Sequence, residues 1–199
     1  MNLREKIPYV AGVLGVIMLG IGVALIFFYD DIASYVQQLQ STEVHVHSDF
    51  AFYVLGNKID LTGEKYQSSK ESIKHPKIHL HDGFDNVIHR HAKGITFVAF
   101  LSSLGFTLTN TCLTMDTGTQ YCTNQEHILK LYVNGQPKTD ITSYISQEED
   151  QILLYYGDPK SPDIIKYQEQ VTEDSCLYSG NCPERGPAPA ESCGITCEI

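Results

Sequence analysis

The sequence predicts an α+β fold: a small, mainly antiparallel β domain with one main helix, preceded by a single N-terminal transmembrane helix. Three observations carry that reading. Residues 9–28 hold no charge over a length that matches a bilayer core. Several later stretches alternate apolar and polar residues, the period of a half-buried strand. Residues 94–104 place apolar side chains at helical spacing instead.

The uncharged run from Tyr9 to Phe28 would span about 30 Å as a helix at 1.5 Å per residue. Arg4 and Lys6 precede it and Asp30 and Asp31 follow, which puts residues 1–8 in the cytoplasm and the rest outside. A cleaved signal peptide is the competing reading. The run is longer than a usual signal h-region and no convincing Ala-x-Ala site follows, so a retained anchor is expected. Ile32, Tyr35, Val36 and Leu39 then continue at helical spacing as a stalk over 29–43.

From Val44 the period changes to two. Val44, Val46, Phe50, Phe52 and Val54 alternate with His45, His47, Asp49, Ala51 and Tyr53, a half-buried strand turned at Leu55-Gly56-Asn57-Lys58. Residues 64–74 read as a polar, Ser-rich loop with little to pack. Gly94 to Leu104 reads as the main helix, capped by Gly105. Short strands follow over 106–115 and 119–122, with the turn Asp116-Thr117-Gly118 between them. Ile128 to Val133 is a strand turned by Asn134-Gly135, Ile141 to Ile145 a short helix, and Gln151 to Tyr156 a closing strand. The stretch 52–62 echoes 131–142, which two hairpins with the same turn chemistry would produce. The expected α+β domain therefore spans 44–158, followed by a helix within 159–175 and an irregular Cys-rich tail over 176–199.

All six cysteines follow the apolar run, and an even count outside the cytoplasm fits disulfides. Cys112 and Cys122 flank a predicted hairpin and are the expected pair. Cys176, Cys182, Cys193 and Cys197 would supply two more bridges whose partners the spacing leaves open. No Cys-x-x-Cys spacing is present, so neither a zinc knuckle nor a thioredoxin-like site has its usual signature. The formal charge of −10, with no basic stripe, argues against a nucleic-acid partner.

The histidines carry the chemistry. Of eight in the chain, six fall in three His-x-His pairs: His45 and His47, His79 and His81, His89 and His91. Residues two apart on a strand share a face, so each pair can present both imidazoles to one ion. The second and third pairs sit in one predicted hairpin. A five-residue loop, Asp82 to Asn86, sets His79 opposite His89 and puts all four rings on one side, with Ile78, Leu80 and Ile88 together on the other. A loop one residue shorter would separate the pairs. Neutral imidazole suits copper or zinc rather than magnesium or calcium. Six ligands exceed one tetrahedral site, so either two ions bind or some rings only orient others. Asp49, Asp82 and Asp85 are candidates to hold ring N–H groups, or are plain turn residues. His75 and His127 stand alone. A solvated histidine-rich face, sensitive to pH near 6, is the reading without metal.

The pairs His45-x-His47, His79-Leu80-His81-Asp82-Gly83 and Val87-Ile88-His89-x-His91 belong to a wider pattern. With Tyr132-Val133-Asn134-Gly135, Tyr156-Gly157 and Cys182-Pro183-Glu184-Arg185-Gly186, they resemble small membrane-anchored extracytoplasmic proteins of archaea and candidate-phylum bacteria, some labelled protein-disulfide isomerases. The resemblance implies the same architecture: a single-pass anchor and an outer domain. The expected function is copper or zinc binding for capture or delivery, or service as an accessory subunit of a membrane complex. A metal-dependent enzyme with an open histidine-ligated position, or a thiol–disulfide oxidoreductase, are the alternatives.

Overall fold

The computed structural model describes residues 43–191, which form a mainly antiparallel β domain with few helices. The expected transmembrane helix over 9–28, the residues before it, the stalk up to Thr42, and Cys193 and Cys197 lie outside the described residues.

In chain order the strands are β1 (Glu43–Val54), β2 (Asn57–Lys58), β3 (Gln67–Ser68), β4 (Ile78–His81), β5 (Val87–Ala92), β6 (Thr107–Leu108), β7 (Cys112–Thr114), β8 (Gln120–Cys122), β9 (Ile128–Val133), β10 (Gln136–Pro137) and β11 (Gln151–Gly157). The helices are α1 (Phe97–Ser103), α2 (Asp163–Glu169) and α3 (Ser175–Tyr178). One sheet runs β10-β9-β11-β1-β5-β4-β3, with β2 on the end of β1, and β6, β7 and β8 form a separate small sheet. β1 pairs with β11 in parallel, Asp49 opposite Gln151. On its other side Phe50 N donates to Asn86 O at 2.8 Å, so β5 runs antiparallel to it, His47 beside His89 and His45 beside His91.

The hairpin register matches the spacing argument: His79 lies opposite His89, and His91 N donates to Lys77 O at 2.8 Å. Asp82 and Gly83 turn the chain with φ of 58° and 76°. The two echoing hairpins share their turns as well. Leu55-Gly56 and Asn134-Gly135 both have positive φ, and Ile59 N and Lys138 N bond back to Phe52 O and Leu131 O.

Phe50, Phe52 and Val54 of β1, with Ile78, Leu80 and Ile88, enter the main core beneath α1 with Phe97, Phe100 and Leu101. The odd-numbered face carries the histidines at one end and, further along, Ala51 and Tyr53. These two pack with Leu153, Tyr155, Tyr167 and Val171 in a second, smaller core. From His47 onward β1 is thus a central strand buried on both faces, not the half-buried strand that alternation predicts. α2 and the chain after it cover the face that the polar residues occupy.

Four further expectations need correction. The main helix begins at Phe97, not Gly94, because Gly94 sits at φ 74°, outside helical space. Residues 141–145 are not helical: the Asp140 carboxylate accepts from Thr142 N, Ser143 N and both hydroxyls and holds a bend instead. The helix expected within 159–175 stops at Glu169, and α3 begins after a break, so the tail from Cys176 is not wholly irregular. It also carries a 3-10 turn, Pro183–Arg185. The polar stretch 64–74 contributes β3, and Tyr66, Gln67 and Ser68 are buried.

Candidate metal centre

β1, β5 and β4 lie side by side, and each contributes its His-x-His pair to the same face. The six rings form a closed chain of neighbours. Centroids are 4.5 Å apart for His45–His47, 4.8 Å for His47–His89, 3.9 Å for His89–His81, 5.7 Å for His81–His79, 5.1 Å for His79–His91 and 4.6 Å for His91–His45. His47, His79, His81, His89 and His91 are each at most 3% exposed, whereas the side chain of His45, at the mouth, is 33% exposed.

A residue from the tail joins them. Glu191 places its carboxylate 3.2 Å from His45 Nε2, 3.3 Å from His89 Nδ1, 3.5 Å from His47 Nε2 and 3.6 Å from His81 Nε2. The donor atoms of His45, His47, His89 and Glu191 lie within 4.8 Å of one another, a group that could hold a metal ion. Around zinc, with bonds of ~2.0–2.1 Å, tetrahedral ligands stand about 3.4 Å apart, so modest side-chain rotation closes the set.

The outward nitrogens fix what the inward ones offer. His79 Nδ1–H donates to the His75 carbonyl at 2.8 Å, and His81 Nδ1–H to the Asp82 carboxylate at 2.7 Å. Neither acceptor can donate, so both rings carry their proton outward. The Ser179 hydroxyl gives its own proton to Glu148 or the Ser175 carbonyl and accepts from His47 Nδ1 at 2.9 Å. With their Nδ1–H groups donated outward, the three rings turn Nε2 lone pairs inward, and those of His47, His79 and His81 have no hydrogen-bond partner among the described residues. A buried acceptor left unsatisfied costs about 1–3 kcal/mol. Here two of the three also face a carboxylate, which repels them. A cation between them removes both penalties, and the Asp82–His81 arrangement is the carboxylate–histidine support typical of metal ligands.

Burial lowers the pKa of His79 to about 4 and of His91 to about 3, and pushes His89 well down too. These rings are neutral, as ligands must be. His45 moves the other way, raised chiefly by its hydrogen bond to Glu191. Burial alone would raise the Glu191 carboxyl, but the hydrogen bond from the His45 ring, the largest of the opposing effects, helps outweigh it and hold the group well below the usual range.

The chain from Thr172 to Glu191 roofs the cluster. Asp49, two residues beyond His47 on β1, accepts from Thr172 Oγ1 at 2.5 Å, Asp174 N at 2.7 Å, and Ser175 N and Oγ. That clasp starts α3, whose Tyr178 ring packs on His47, His81 and His89 at 5.6, 6.3 and 4.8 Å. The Cys176–Cys182 disulfide closes the loop that carries Tyr178 and Ser179. Cys112 and Cys122 are bridged as their facing positions imply, and none of the four described cysteines is a free thiol.

All six predicted histidines come together. Of the three aspartates, Asp82 holds a ring, Asp49 secures the roof, and Asp85 instead pairs with Lys58 at 3.0 Å. His75 supports His79 from outside, while His127 lies tilted against Tyr156. The sequence reading missed Glu191, Tyr178 and Ser179. The one available signal is that Glu191 is the sole charged residue between Arg185 and Glu198.

Fold and site define an α+β domain with two disulfides among the described residues and a largely buried His/Glu cluster that could hold a metal ion. No protein-family model, curated protein or solved structure matches the chain.

Proposed function

We propose that this chain is a membrane-anchored, extracytoplasmic metal-binding protein that takes up copper(II) or zinc, for capture and delivery or as the accessory subunit of a membrane complex. The observation that carries the reading is the set of inward lone pairs from His47, His79 and His81, buried, without donors among the described residues, with an ionised carboxylate beside those of His47 and His81. Imidazole with carboxylate suits zinc and copper(II). No sulfur donor stands in the set to favour copper(I). The two disulfides accord with an oxidising compartment. The anchor rests on the uncharged run at 9–28; among the described residues no helix is long and apolar enough to cross a membrane.

The test uses the full chain purified in mild detergent. Elemental analysis is expected to find copper or zinc, and calorimetry on stripped protein to record binding that His47→Ala with His89→Ala weakens at least tenfold. Protein that carries no metal and binds neither ion overturns the reading. Release from membranes by alkaline carbonate would overturn the anchor alone.

A further inference from the structure

The four donors His45, His47, His89 and Glu191 account for one ion and leave three buried imidazoles unassigned. His79 is wholly buried; with its Nδ1–H given to His75, its Nε2 is an inward lone pair without a hydrogen-bond partner among the described residues. Its ring lies 5.1 Å from that of His91 and 5.7 Å from that of His81, centroid to centroid. With metal–nitrogen bonds of ~2.0–2.1 Å, the centroids of two imidazoles on one tetrahedral ion stand about 5 Å apart. The His91 separation meets that spacing, and the His81 separation exceeds it by less than an ångström. His81 Nε2 also lies 3.6 Å from Glu191 Oε2, the same oxygen that His45 and His89 approach.

We propose that the cluster binds two ions side by side: one held by His45, His47, His89 and Glu191, the other by His79, His81 and His91, with the Glu191 carboxylate between them. This rests on the metal-binding reading above and adds a second site to it. The second position has three protein ligands and so keeps a coordination place for water or a transferred ligand. The first takes its exposed ligand, His45, from the mouth of the cluster and is the one an incoming ion meets.

Stripped full-length protein in detergent is titrated with zinc and its bound metal counted after gel filtration. Two equivalents per chain are expected, falling to one in His79→Ala and in His91→Ala, with the tighter equivalent retained. Copper(II) provides a readout that needs no variant. Wild type loaded with two equivalents should give a spin count below the copper content, or dipolar broadening absent at one equivalent. One equivalent, with an isolated copper signal at every loading, overturns the second site and leaves the first standing. No bound metal at all overturns both.

Discussion

At the scale of single side chains, the nitrogen that faces away from the cluster decides what the other nitrogen can do. Asp82 shows how narrow the tolerance is. Its carboxylate takes the His81 Nδ1 proton, and its backbone sits at φ 58°, a region where Asn and Asp are the non-glycine residues most at ease. Ala would therefore strain the turn and confuse the result, whereas Asn keeps both the turn and a neutral acceptor. We expect Asp82→Asn to leave the fold intact and weaken metal binding by 10-fold or more, as loss of a supporting carboxylate commonly does (about 10–100-fold). Competition against a chromophoric chelator measures it; unchanged affinity would mean that Asp82 acts only as a turn residue. Glu191→Gln separates charge from shape. It preserves the contact with His45 but places an amide where a carboxylate faced lone pairs, and a tenfold or greater loss of affinity is the expected outcome of the same titration.

At the scale of elements, the β4–β5 hairpin was legible because two patterns had to agree. Ile78, Leu80 and Ile88 fall on one face and the four histidines on the other only with the five-residue loop, and a slip by one residue would turn one pair of rings toward the main core. The roof was not legible. Residues 172–191 have no apolar period, and what orders them is Asp49, over a hundred positions away in sequence, together with the short crosslink from Cys176 to Cys182. Local pattern carries no information about such a clasp. The crosslink's role is testable. Closing so small a loop contributes roughly 2 kcal/mol in the chain-entropy account. Cys176→Ser with Cys182→Ser should leave the strand amides protected against hydrogen exchange, speed exchange over 176–191, and accelerate loss of bound metal to a chelator. Equal exchange in that segment would show that the Asp49 clasp alone holds it.

At the scale of the whole molecule, composition and alternation identified an α+β domain but not its strand order. The parallel pairing of β1 with β11 joins residues a hundred apart, and period-two patterns do not say which strand lies beside which. That pairing makes β1 central, and with the cover from α2 and the roof it turns a polar strand face into the wall of a buried site. The same burial couples the site to stability. In the unfolded chain the histidines titrate near 6.5, whereas in the folded, metal-free domain burial holds His79 at about 4 and His91 at about 3, with His89 also well down. Between these values the unfolded chain binds protons that the folded one refuses, so their contribution to stability is complete above about pH 7 and falls as the pH drops through 6.5 towards 4. His45, raised by Glu191, opposes this as one ring against three, and the depressed carboxyl of Glu191 adds a further loss below its ordinary value of 4.5. Metal-free protein should therefore melt at progressively lower temperature from about pH 7 to about pH 4.5, while zinc-loaded protein holds its melting temperature until protons displace the ion and then drops more steeply. A metal-free melting temperature that stays level or rises across that range would mean that the rings accept protons in the folded state, and the cluster would then be a proton store rather than a set of ligands waiting for an ion.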